Sequence, residues 1–121
     1  MLRSIRKENP ELVRTLIELR RAAQAHKAPI WGALAEKLAR PRHQQYPVNV
    51  GHLDRLTEAQ QTVVVPGKLL AAGSITKPLT VAAFTYSVEA RAKIHSAGGT
   101  ALSIDELLKA RPDGAGVRLL G

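Results

Sequence analysis

The chain has 121 residues, with 18 Lys and Arg against 10 Asp and Glu, four His, no Cys and a formal net charge of +8. That length suits one domain, and 45% hydrophobic with 23% charged residues argues against wholesale disorder. The lack of cysteine excludes disulfides, thiolate metal sites, iron–sulfur clusters and a cysteine nucleophile. No stretch reaches the ~18–20 consecutive apolar residues of a membrane-spanning helix. Met1 to Glu8 holds no apolar run after its basic residues, so no secretory signal and a cytoplasmic location are expected.

The charge is unevenly placed. Residues 1–7 hold Arg3, Arg6 and Lys7 with no acid, and residues 20–43 hold Arg20, Arg21, Lys27, Lys37, Arg40 and Arg42 against Glu36 alone. The remainder is balanced, so two short windows carry the whole excess. Concentrated like charge costs self-repulsion, which a polyanionic partner relieves.

In chain order, Asn9-Pro10-Glu11 supplies an N-cap, a proline at the first helical position and an acid at the positive helix end. Leu12, Val13, Leu16, Ile17, Leu19 and Ala23 follow at helical spacing, predicting a helix of about 15 residues. Pro29 opens a second helix with Ile30, Leu34 and Leu38 as its stripe, widened by Trp31 and Ala35, and Pro41 stops it. Arg40 to Pro47 has no periodicity and reads as an exposed loop. Asn49 is placed to cap a short helix reaching about Glu58, with Val50, Leu53 and Leu56 inward.

The pattern then changes. Thr62 to Val65 is β-branched, and Pro66-Gly67 is expected to end that strand in a turn. Leu79 to Tyr86 reads as a second strand, Ser87 or Val88 to Ser96 as a helix, and Thr100 to Leu102 as a short extended piece. Ser103-Ile104-Asp105-Glu106 has a capping-box pattern opening a helix through Ala110. Asp113-Gly114 turns the chain into a last strand over Gly116 to Leu120. Strands separated by helices favour a parallel sheet with crossovers. The expected organisation is therefore a basic tail over residues 1–8 and one α/β domain over 9–121, helical over 9–58 and alternating strand and helix over 59–121.

No catalytic constellation is visible. Val63 to Lys68 runs an apolar strand into Gly-Lys, but a phosphate-binding loop needs glycine at the position of Thr62 and Ser or Thr at that of Leu69. The histidines at 26, 43, 52 and 95 never fall at the i, i+3 or i, i+4 spacing that converges ligands on one helix face. Asp54 and Glu58 share a helix face, which reads as a solvated surface rather than an acid–base pair.

The basic segments are more informative. Arg40-Pro41-Arg42-His43 sets two guanidinium forks and an imidazole just past a helix end, and such forks hold phosphate bidentately. Trp31, Tyr46, Phe84 and Tyr86 are the complete aromatic set, too few and too scattered for a base-stacking platform, with Trp31 and Phe84 on core-facing stripes. Recognition through phosphate, ribose and shape fits better. A free-standing DNA-binding regulator is the alternative, although no polar recognition helix stands out.

Trp31-Gly32, Leu38-Ala39-Arg40-Pro41-Arg42, Val48-Asn49-Val50, Val63-Val64-Val65-Pro66-Gly67-Lys68 and Thr80-Val81-Ala82-Ala83 occur in that order. Together they resemble the large-subunit ribosomal protein family called eighteen-e, relatives of bacterial large-subunit protein fifteen, and the short chain looks more like the archaeal branch. The resemblance runs from about Asn9 to Leu120. It implies a small, mostly parallel sheet in irregular β-β-α turns with an N-terminal helical extension. It also implies a structural role in the large ribosomal subunit, with ribosomal RNA and neighbouring ribosomal proteins as partners and no catalysis, cofactor, metal, membrane or small-molecule substrate. The family's basic loop matches Arg40, Arg42 and His43, and its Pro-Gly-Lys turn matches Pro66, Gly67 and Lys68. The expected RNA contacts are thus Arg40, Arg42 and His43 as anchor, with Asn49 supporting the loop or touching ribose. Arg3, Arg6 and Lys7 are expected to be ordered only against RNA, and Lys27, Lys37, Lys68 and Lys77 to lie at the periphery.

Overall fold

A computed structural model describes residues 9–40 and 47–120. The expected tail over residues 1–8 and most of the Arg40–Pro47 loop lie outside them.

The chain opens with α1 (Pro10–Ala25), where the Asn9 side chain accepts a hydrogen bond from the Leu12 amide at 3.2 Å and Pro10 takes the first turn. The capping residues and the apolar stripe are both local signals, which is why this helix was readable in the sequence. Lys27 turns the chain in the left-handed region, at φ 48°, into α2 (Pro29–Leu38). α1 buries Leu12, Leu16 and Leu19, and α2 buries Trp31, Leu34 and Leu38. Each such side chain contributes about 1.5–3 kcal/mol on leaving water. The Trp31 indole N–H donates to the Pro112 carbonyl at 2.8 Å, so the largest core residue also ties α2 to the C-terminal segment.

The chain next forms β1 (Val48–Asn49), α3 (Val50–Leu56), β2 (Thr62–Leu70) and β3 (Thr80–Tyr86). It ends with α4 (Val88–Ser96), β4 (Thr100–Leu102), α5 (Ile104–Ala110) and β5 (Val117–Leu119). α5 starts in the expected capping box, with Ser103 and Glu106 each bonding the other's backbone amide. Every strand pairing is parallel. β2 is the axis of the sheet. β3 runs along one of its edges and β4 lies beyond β3. Along the other edge two short strands sit in tandem: β5 pairs with Thr62 to Val64, and β1 pairs with Leu69 and Leu70.

The expected turn at Pro66-Gly67 is not one. β2 continues through it, and three residue steps of β2 from Val65 to Lys68 oppose two of β3 from Ala83 to Thr85. That is a β-bulge, a place where proline's missing N–H breaks no ladder bond. Gly67 sits there at φ 136°, a conformation that excludes side chains even though nothing lies near its missing Cβ. The helix after Asn49 ends at Leu56, short of Glu58, and the Asn49 side chain makes no capping bond to it.

Alternation along the strands sends side chains to two cores. Val64 and Ala82 join α1, α2 and α5 on one face. Val63, Val65, Leu69, Val81 and Ala83 join Val50 and Leu53 of α3 and Ala90 and Ile94 of α4 on the other. The N-terminal helices therefore form part of one face of an α/β/α sandwich. Among the described residues no helix is long and apolar enough to cross a membrane.

Candidate nucleic-acid interface

The basic corner predicted at the end of α2 rests on a rigid base. Leu38 is buried in the first core, and the Ala39 amide donates to the Ala35 carbonyl at 2.9 Å, continuing the helical path. Arg40 follows directly and is exposed, while Lys37 is half-buried on the last turn. Arg42 and His43 lie outside the described residues, as do Arg3, Arg6 and Lys7.

The chain returns at Pro47. The register Val48↔Leu69 sets Pro47 beside Lys68 on one side of β2, and Thr85 opposes Lys68 on the other. Leu69 points into the second core, so Lys68 is directed to the opposite face, the side on which α2 ends. Lys68 is exposed. The fold thus brings Pro47, where the described chain resumes, alongside the Pro-Gly-Lys bulge that follows about 20 residues later in sequence. Lys27 is placed elsewhere, at the opposite end of the 10-residue α2 from Arg40, about 15 Å along the helix axis.

Two expected contacts have work inside the protein. The Lys77 ammonium donates to the carbonyls of Thr57 at 2.6 Å and Asp54 at 2.8 Å, and stands 3.8 Å from the Asp54 carboxylate. It therefore closes the C-terminal end of α3, where carbonyls lack helical partners. The Asn49 Oδ1 accepts from the Ala72 amide at 3.2 Å, and the Gly51 amide donates to the Ala72 carbonyl at 2.9 Å. Asn49 thereby holds the crossover between β2 and β3, a segment other than the basic loop it was expected to support.

The sequence reading missed further members of this scaffold. Lys93 on α4 donates to the carbonyls of Ala71 and Gly73 at 2.7 and 2.6 Å, and an Arg118 guanidinium N–H donates to the Leu56 carbonyl. Asp54 accepts from the Thr76 amide at 3.0 Å and from its hydroxyl at 2.9 Å. These bonds, the amide bond foremost, with Lys77 beside them, hold the Asp54 carboxyl below its ordinary pKa of 3.8. Tyr86 at the end of β3 shares its hydroxyl proton between the carbonyls of Leu102 at 2.6 Å and Val81 at 2.8 Å. Burial pushes its pKa up to about 12. No local pattern signals these contacts, because each joins residues separated by a crossover.

The Asp105 carboxyl on α5 faces Glu18 on α1, and its proximity, with burial, raises the pKa of Glu18. Arg14 lies 3.9 Å from Asp105. Among the described residues no group of three His, Asp or Glu converges on a metal-sized site. The arrangement offers exposed cations on a fixed frame, which suits polyanion binding.

Residues 3–121 match the family described as "Ribosomal protein 60S L18 and 50S L18e". The chain is 47% identical over 116 residues to the large ribosomal subunit protein eL18 of Archaeoglobus fulgidus, covering 96% of this chain and 99% of that protein. It is 46% identical over 117 residues to the eL18 protein of Methanopyrus kandleri, covering 93% and 92%. With that of Pyrobaculum aerophilum it shares 47% identity over 102 residues, covering 84% of each. These relatives are structural ribosomal proteins rather than enzymes. A family match over residues 3–121 and near full-length similarity to these relatives lead to one assignment: the chain belongs to the L18/L18e family of large-subunit ribosomal proteins.

Proposed function

We propose that the protein clamps large-subunit ribosomal RNA through phosphate and ribose contacts, with Arg40, Arg42 and His43 as the anchor and Lys68 beside them. The observation that carries this reading is the register of β1 on β2, which sets the end of the basic loop against exposed Lys68. A buried helix end precedes the loop and a β-ladder follows it, which supports the reading by fixing the residues on either side. Lys27 and Lys37 add peripheral phosphate contacts, and Arg3, Arg6 and Lys7 form an arm ordered against RNA. Lys77 and Asn49 contribute as frame, not as ligands. Neighbouring ribosomal proteins share the site in the assembled subunit.

Each phosphate neutralised releases counterions, so affinity falls with salt at a logarithmic slope of about 0.7–0.9 per contact. The test measures binding of the purified protein to transcribed archaeal large-subunit ribosomal RNA over a salt series. Arg40→Ala and Arg42→Ala are expected each to weaken binding and to lower the slope by about one contact. Unchanged slopes in both variants would refute the anchor.

A further inference from the structure

Arg91 was not among the residues that sequence reasoning singled out. Its guanidinium carbon lies 4.6 Å from the centroid of the Tyr86 ring. That ring is itself immobilised, because its hydroxyl is held by two backbone carbonyls from different strands. An arginine stacked on a fixed aromatic face keeps its planar N–H fork pointing sideways into solvent with few conformations left to lose.

Arg91 is exposed, and none of the ion pairs among the described residues involves it, although Glu89 lies two positions earlier on α4. A stacked guanidinium that makes no ion pair among the described residues is shaped for a bidentate oxyanion, even with the Glu106 carboxylate also acting on the Tyr86 ring. Its position adds to this. Tyr86 pairs with Leu69 and Thr85 with Lys68, so Arg91 stands at the same strand ends as Lys68. α4, however, packs on the second core, whereas Lys68 points toward the α1–α2 side. The two cations therefore flank the C-terminal ends of β2 and β3 from opposite faces.

We infer that the Arg91–Tyr86 pair is a second RNA-phosphate site, gripping a phosphodiester on the face of the sheet opposite the Arg40–Lys68 corner. This rests on the RNA-clamping reading and extends it from one corner to both faces of the strand ends of β2 and β3. The fork serves as the bidentate donor, and the ring serves to orient it. A carboxylate of a neighbouring protein is the competing anion, and binding measured with RNA alone separates the two.

The experiment uses the full chain with transcribed archaeal large-subunit ribosomal RNA, comparing wild type, Arg91→Ala, Arg91→Lys and Arg40→Ala across a salt series. Arg91→Ala should weaken binding about five- to tenfold near 0.1 M salt and lower the slope by about 0.7–0.9. Arg91→Lys keeps the charge but loses the fork, so the slope should return while most of the affinity loss persists. If Arg40→Ala lowers the slope and Arg91→Ala changes nothing, this site is refuted and the clamp survives. If Arg91→Lys restores full affinity, the bidentate assignment is overturned. If the wild type shows no salt-dependent binding, the clamp itself falls and this site with it.

Discussion

Lys77 offers a sharp test of which cations serve the fold. Its side chain is 25% exposed, and its ammonium reaches two carbonyls at the end of α3 at 2.6 and 2.8 Å. Hydrogen bonds from a charged donor are worth about 1.5–3 kcal/mol each, and a cation at a helix C-terminus adds about 0.3–1 kcal/mol. Partial exposure weakens both effects, and a methionine in place of the lysine keeps most of the apolar stem packed. Lys77→Met should therefore cost about 2–3 kcal/mol. With a urea slope of about 1.5 kcal/mol/M, the midpoint of unfolding falls by about 1.3–2 M. The same variant, assayed below its unfolding range, should bind RNA with an unaltered salt slope. A midpoint shift under about 0.3 M together with a slope reduced by one contact would refute the reasoning and return Lys77 to the RNA-binding surface.

Asp54 anchors the same corner, and its folded pKa lies below the ordinary value of 3.8. Its stabilising effect is therefore complete above the unfolded pKa and disappears as pH falls through the folded one. Asp54→Asn should be less stable than wild type by about 1 kcal/mol at pH 6, with the difference shrinking as pH falls below 3.8 in urea titrations at each pH. Gly114 stands at φ 71°, and a Cβ there would come within 2.6 Å of the Ile30 Cγ2 and 3.6 Å of the Trp31 ring. Gly114→Ala should cost about 1–3 kcal/mol through backbone strain and overpacking, read as a fall in thermal midpoint; an unchanged midpoint would show that the Trp31 pocket yields.

The legible parts of the fold are those whose causes are local. Asn9-Pro10 and Ser103–Glu106 announce helix starts because a cap is a contact within three residues, and α1 and α2 carry stripes that need no knowledge of what covers them. The bulge at Pro66-Gly67 had the opposite fate. Proline followed by glycine is a turn signal in isolation, and only the ladders to β3 before and after it, with β1 alongside Leu69 and Leu70, keep the strand running. β1 itself is two residues long, too short for any period to show, and exists because Leu69 and Leu70 offer it an edge. The basic loop was visible from charge density, but the placement of Pro47 beside Lys68 is a property of the register.

Charge density also misleads in one direction that the structure explains. The β2–β3 crossover joins parallel strands without a helix, so carbonyls such as those of Ala71 and Gly73 need donors from elsewhere. The last turn of α3 leaves a similar set. Long cationic side chains meet that need while remaining near the surface: Lys77, Lys93, Arg111 and Arg118 all donate to backbone carbonyls. All four come from the part of the chain whose acidic and basic residues balance. The unbalanced excess lies in the two N-terminal windows, whereas these four cations serve the frame. It follows that the salt dependence of RNA binding should trace to the α2 corner, to Lys68 and to Arg91, and not in proportion to net charge.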